Sequence, residues 1–247
     1  MRQFLKIGAL AGGLAGLALA LFLEIVGEPA INRAVSLEES TKVGSSNEMF
    51  TRLTQQIGGG IGAVLYGVAV GLIFGVVFAA LRHRLASRTD FRRAALLGMT
   101  AFVAVFLVPF LKYPANPPGV GDPSSISRRT ILYLIMLGWS LVTAWAAWRL
   151  ARWLRTDRGL PEDRWVPLTA IVYAVIIGAG LVLLPANTDK VPVPATLLWR
   201  FRLASAGGAL VFWTTLGLAY GVLITRSVGR NGRTATVHAD TSEVEVG

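Results

Sequence analysis

Ile57-Gly-Gly-Gly-Ile-Gly-Ala-Val-Leu-Tyr-Gly-Val-Ala-Val-Gly-Leu-Ile-Phe-Gly-Val-Val-Phe-Ala-Ala-Leu81 contains no charged residue. At about 1.5 Å of rise per residue, a helix over this stretch is long enough to cross about 30 Å of hydrocarbon. Working outward, similar uncharged blocks recur at Ile7–Leu23, Ala94–Leu111, Ile131–Trp148, Trp165–Leu184 and Leu203–Thr225. The chain is 53% hydrophobic and 15% charged, against about 25% charged in a soluble domain. The sequence therefore reads as an all-α, polytopic membrane protein. Six spans are expected, at 7–26, 57–81, 94–111, 131–148, 165–184 and 203–225. The membrane domain takes residues 1–226. The polar segment 227–247 reads as a disordered cytoplasmic tail.

The first block follows Arg2 and Lys6, as a signal peptide's apolar stretch would. It reads as a retained span, because Glu24 and Glu28-Pro29 follow it instead of a small-x-small cleavage site. The chain has no cysteine, which excludes disulfides, thiolate metal sites and a cysteine nucleophile.

A net charge of +10 raises the question of nucleic acid, but the charge is distributed as a topology signal. Fifteen of the 24 Lys and Arg residues fall on the termini and the short even-numbered loops, and nine fall on the longer odd-numbered loops. The positive-inside rule then places both termini in the cytoplasm of a cell whose plasma (inner) membrane holds the protein. Both termini on one side require an even number of spans, which agrees with six. The lipid bilayer is the expected environment, and no nucleic-acid partner is expected.

A weak repeat runs through the odd loops. Glu28-Pro29-Ala30-Ile31-Asn32, Tyr113-Pro114-Ala115-Asn116 and Leu184-Pro185-Ala186-Asn187 each follow the first span of a hairpin, and arginines open the second: Arg52, then Arg128 and Arg129, then Arg200 and Arg202. Gly62, Gly71 and Gly75 match Gly208, Gly217 and Gly221 at equal spacing. Prolines that stop helices and arginines at interfaces would give such strings by chance. The added glycine register favours three related two-helix hairpins around an axis along the membrane normal. Glycines at four-residue spacing, such as Gly8, Gly12 and Gly16, or Gly67, Gly71 and Gly75, read first as packing faces between helices.

Glu24 and Glu28 lie four apart, on one helical face, close to the outer end of the first span. A carboxylate at that depth must face protein or water, be paired, or be protonated. Arg33, Arg128 with Arg129, and Arg200 with Arg202 are candidate partners for a structural ion pair; a cation or proton site is the alternative. The segment 109–123 holds five prolines and offers Lys112, Tyr113, Asn116 and Asp122. Its stiff, non-helical backbone suits a vestibule or a rigid structural loop. The two histidines, His83 and His238, lack partners at metal-ligand spacing, and no His-Glu-x-x-His, P-loop or nucleophile elbow occurs. The chain is thus expected not to be an enzyme and to hold no permanent cofactor.

Two longer strings carry a resemblance: Val108-Pro-Phe-Leu-Lys-Tyr-Pro-Ala-Asn-Pro-Pro-Gly-Val-Gly-Asp-Pro123 with Arg129-Thr130, and Leu197-Leu-Trp-Arg-Phe-Arg-Leu-Ala-Ser205 with Gly207-Gly208. Together with the first span and Glu28-Pro29, they make residues 1–226 resemble the CbtA family, the probable cobalt transporter subunit. The resemblance implies a polytopic membrane protein serving cobalt uptake beside a small single-span, histidine-rich subunit. It also implies about five spans, where the charge distribution gives six. Co(II) favours imidazole and carboxylate, and the spans supply no histidine. Glu24, Glu28 and Asp122 are therefore the expected ligands of a transported Co2+ or similar cation. Around them, Asn32, Lys112, Tyr113, Asn116, Arg128, Arg129, Asn187, Arg200 and Arg202 form the expected polar external cluster. The expected function is the membrane subunit of a cobalt uptake transporter. The alternatives are a non-transporting accessory subunit and, behind it, an enzyme on a lipid-linked substrate.

Overall fold

A computed structural model describes residues 1–27, 52–85, 87, 89–117, 122–189 and 191–244, with only the backbone of 52–53 and 228–244. Among these residues every regular element is helical. Six helices are long and apolar enough to cross a membrane. They are α1 (Arg2–Gly27), α2 (Arg52–Leu81), α3 (Asp90–Lys112), α4 (Pro123–Thr156), α5 (Glu162–Leu183) and α6 (Ala195–Val244), whose apolar stretch ends at Ser227. Beyond that stretch the backbone of α6 continues as helix through 228–244, where a disordered tail is expected from sequence.

Two of these helices widen locally. Leu23–Gly27 in α1 and Phe102–Leu107 in α3 are π-helical. Each stretch ends two residues before a proline, Pro29 or Pro109. In α3 the cause is visible: Pro109 brings no N–H and crowds the carbonyl four residues back, so the Val108 N–H reaches Val103 O instead. Phe102, Phe106 and Phe110 then stack along one side, with ring centroids 5.9 and 5.0 Å apart.

The chain packs as two compact units, Met1–Val26 with Ser46–Thr100 and Gly207–Gly247, and Gly27–Ser45 with Ala101–Ala206. In the first unit α1 and α2 touch backbone to backbone. A Cβ placed on Gly8, Gly12 or Gly16 would overlap the carbonyl of Gly71, Gly67 or Ala63. Lipid offers no hydrophobic drive between helices, so close approach through small residues supplies the attraction. Gly98 of α3 meets Gly217 of α6 in the same way, and Gly221 lies against Phe91.

The glycine register shared by the second and sixth spans has a structural counterpart in this unit. Gly75 abuts the Phe4 carbonyl at the start of α1, and Gly221 abuts the Phe91 carbonyl at the start of α3. Tyr66 of α2 contacts Phe212 of α6 at 5.4 Å between ring centroids, and Phe74 contacts Tyr220 at 5.2 Å. Each of these pairs joins positions equivalent in that register. Contact between equivalent positions is the signature of a two-fold relation. The pairs α1–α2 and α3–α6 are therefore the related units here, with α2 and α6 at the axis. Gly217 and Gly221 of α6 pack on α3, and Gly207 and Gly208 on α1, rather than on the α5 of its own hairpin.

In the second unit Val108, Met136 and Ile177 form a small apolar core, flanked by Val103, Tyr113, Tyr173, Leu181 and Leu184. The indole of Trp139 lies against Gly180 and donates to Ile176 O at 3.0 Å, joining α4 to α5. A turn through Gly159, at φ 60°, connects those two helices; glycine takes this left-handed conformation without a Cβ penalty.

Candidate functional site

The site lies within the second unit, where α3 and α5 end and α4 and α6 begin. Helix α3 stops at Lys112, because Pro114 and Pro117 hold the following backbone extended. Asp122 restarts the chain as an N-cap. Its Oδ1 accepts from the Ser124 N–H at 2.8 Å and from Ser124 Oγ at 2.7 Å. These bonds, with Arg129 as a lesser influence, hold the exposed Asp122 carboxyl below the usual carboxylate range.

Between these ends is a cavity of about 540 Å3. Its polar lining comes from Lys112, Tyr113, Asn116, Arg129, Thr130, Tyr133, Asn187, Asp189 and Arg202. Lys112 Nζ donates to Leu181 O at 2.6 Å, and Tyr113 Oη donates to Pro185 O at 2.7 Å, tying the end of α3 to the end of α5. Partial burial pushes the Tyr113 hydroxyl above its ordinary value, while Arg128 pulls more weakly the other way, so it remains a donor. The Arg202 guanidinium donates to Ala115 O at 3.3 Å and to Asn116 Oδ1 at 3.2 Å, fixing the proline-rich segment to α6. Arg129 pairs with Asp189 at 3.3 Å and donates to Asp122 O at 3.3 Å. Ser125 Oγ donates to the same Asp189 carboxylate at 2.5 Å.

Of the residues expected from sequence, Lys112, Tyr113, Asn116, Arg129, Asn187 and Arg202 thus line one cavity. Arg128 and Arg200 are exposed and do not line it. Glu28 and Asn32 lie outside the described residues. Glu24 is exposed, within the π-helical end of α1, and has no ion-pair partner among the described residues. Arg129 and Arg202 are engaged elsewhere. Of the partners first considered for Glu24, Arg33 lies outside the described residues. No group of three His, Asp or Glu side chains is arranged to hold a metal among the described residues.

Sequence reasoning missed Asp189 and Ser125, which anchor Arg129. The available signal was an acid two residues beyond Asn187, in a loop already rich in basic partners.

The first unit has a separate ionic cluster. Asp90, in the first turn of α3, pairs with Arg93 at 2.8 Å and with Arg82 at 3.4 Å. The Arg82 guanidinium also sits 5.4 Å from the Phe4 ring centroid. This arrangement ties the ends of α1, α2 and α3 together, with all of its charges paired or stacked.

No curated protein and no solved structure matches the chain. The model of one family, described as "Probable cobalt transporter subunit (CbtA)", matches residues 1–225, nearly the whole chain, and the protein belongs to that family.

Proposed function

We propose that this chain provides the path across the plasma (inner) membrane in a cobalt uptake system. In this reading both termini are cytoplasmic and the cavity opens outside. Membership of the family makes the chain a membrane subunit of a probable cobalt transporter. The observation that carries the finer reading is Glu24, an exposed carboxylate without an ionic partner among the described residues, set in a π-helical stretch of an apolar span. Such stretches often mark functional positions in helices. An unpaired carboxylate at that depth is costly unless water or a cation meets it. Glu28, four residues on, and Asp122, whose Oδ2 is not used by its cap, complete the proposed carboxylate set. A transported divalent cation such as Co2+ is the cargo, and a small histidine-rich subunit would load it. The role proposed is transport, with no catalytic step.

A second reading, a non-transporting accessory subunit, draws on one observation. A Cβ on Gly58, Gly59, Gly60 or Gly62 would meet nothing within 4 Å, so this end of α2 presents small residues to no neighbour among the described residues.

Elemental analysis separates the two. Cells expressing the chain, with and without the small partner, are grown with trace cobalt. The expected result is cobalt accumulation that falls to the level of control cells in the Glu24→Gln, Glu28→Gln variant while the protein stays folded in the membrane. Full accumulation in that variant would sink the carboxylate mechanism. No accumulation by the unaltered pair of subunits would favour the accessory reading.

A further inference from the structure

The cavity bounded by Lys112, Arg129 and Arg202 has the wrong charge for a bare cation. Asp189 is the one carboxylate on its lining, and Arg129 and Ser125 already hold it. Among the described residues Lys112 and Arg202 bond only to neutral acceptors: the carbonyls of Leu181 and Ala115, and the amide oxygen of Asn116. Two positive charges on this lining therefore have no anionic partner among the described residues.

The hydrogen-bonding capacity left over points the same way. Asn116 Oδ1 is taken by Arg202, and Asn187 Oδ1 accepts from the Asp189 N–H at 3.1 Å. Among the described residues, the end of each amide left without a partner is its NH2, a donor. Lys112 keeps two further N–H groups beyond its bond to Leu181, and the guanidinium of Arg202 keeps others beyond its two bonds. The two amide oxygens are thus used internally, and the amides, Lys112 and Arg202 keep donors and positive charge at a cavity of about 540 Å3.

We propose that this cavity binds a small, multiply charged oxyanion group, carboxylate or phosphate. Lys112 and Arg202 would supply charge-assisted hydrogen bonds, and the Asn116 and Asn187 amides would orient the ligand. The group has two possible sources: a free anion, or the carboxylate shell of a chelated metal ion. The assignment goes beyond the proposed transport function and does not depend on Glu24 or Glu28. If cobalt does pass this way, it arrives within an anionic complex.

The test uses the whole purified chain in maltoside detergent, which contains no phosphate, with isothermal titration of inorganic phosphate, citrate, cobalt citrate and cobalt chloride. The expected result is binding of citrate and phosphate that weakens as sodium chloride is raised. Lys112→Gln with Arg202→Gln should weaken it by about tenfold or more, the loss expected for charge-assisted bonds. Arg152→Gln with Arg155→Gln, exposed near the far end of α4 and off the lining, should leave it unchanged. Cobalt citrate binding at least as well as free citrate identifies the chelate as the source, and weaker binding identifies the free anion. Absence of anion binding to the folded, unaltered protein overturns the proposal, and this arm needs no variant. So does cobalt chloride binding that depends on Lys112 and Arg202 and exceeds that of every anion. If cells accumulate cobalt but no anion binds, this assignment fails and the transport reading survives. If anions bind but no cobalt accumulates, the reverse holds.

Discussion

The two units hold together by different means. In the first, helices meet through their backbones: Gly8, Gly12 and Gly16 lie on Gly71, Gly67 and Ala63, and Gly98 lies on Gly217. The space between is filled by Phe74, Phe78, Phe212 and Tyr220, all buried. In the second, long polar side chains reach backbone carbonyls: Lys112 to Leu181, Tyr113 to Pro185, Trp139 to Ile176 and Arg202 to Ala115. Burial follows the same divide, with 44% of the apolar window of α6 buried inside the protein and 11% of that of α5. Association in lipid relies on close packing and on hydrogen bonds between helices. The first unit draws mainly on packing, and its groove of about 500 Å3, lined by Leu10, Leu14, Leu17, Val64, Val68 and Leu223, offers a ligand only apolar side chains. The second draws on hydrogen bonds, which leave spare donors facing a cavity of similar volume.

The contrast is broken most severely at the glycines. Gly12→Leu puts a side chain where the Gly67 carbonyl and Gly71 Cα already sit, and even Gly12→Ala should cost about 1–3 kcal/mol through overpacking. Gly58→Ala enters open space and should be neutral or stabilising by up to about 1 kcal/mol, as alanine favours helix over glycine. Thermal unfolding of the purified chain in detergent reads both. Equal loss at Gly12 and Gly58 would mean that the α1–α2 contact is not what holds the first unit together.

Two acids sharpen the comparison. Asp90→Asn leaves Arg82 and Arg93 partly buried without their carboxylate, where the acid's side chain is only 15% exposed. A loss of about 1–3 kcal/mol is expected, that of a charged hydrogen-bonded group losing its partner. Asp189→Asn releases the more open Arg129, 28% exposed, and should cost about 1 kcal/mol or less. Its effect should appear in binding instead: the lining loses its one carboxylate, so citrate should bind severalfold more tightly. Weaker citrate binding in Asp189→Asn would show that Asp189 orders the cavity more than it opposes an anion there.

The six spans were legible because the bilayer imposes a length that composition alone reveals, and among the described residues six helices are long and apolar enough to cross it. The glycines were legible as packing faces. Their partners were not, since spacing along α6 cannot say whether Gly217 meets α3 or α5. Adjacent arginines raise the same difficulty: Arg129 lines the cavity and Arg128 does not, although both precede the same apolar block. Neighbouring helical positions differ by about 100° in direction, and only the packing of α4 fixes which one turns inward. Asp189 was missed because its role is set by Ser125 and Arg129, more than fifty residues away in the chain. The π-helical stretch of α3 did have a sequence signal in Pro109, but a proline in a membrane helix gives a kink, a stop or a widened turn depending on its neighbours.

The smallest expected effect concerns Asp122, where the second unit and the proposed carboxylate set meet in one side chain. The bonds from Ser124 hold its folded-state carboxyl below the ordinary range, with Arg129 adding to them. The cap therefore contributes its full stabilisation above the ordinary carboxylate range. That contribution fades as pH falls through the lowered folded value, because the unfolded chain takes up the proton first. The difference in thermal stability between the unaltered chain and Asp122→Asn should be constant at neutral pH and shrink only in acid. The cap occupies Oδ1, so a cation on Oδ2 would compete with the proton and move that fade to still lower pH. Repeating the titration with cobalt chloride should show this displacement if Asp122 belongs with Glu24 and Glu28. An unmoved curve would leave Asp122 as a helix cap alone and restrict the proposed cation set to the end of α1.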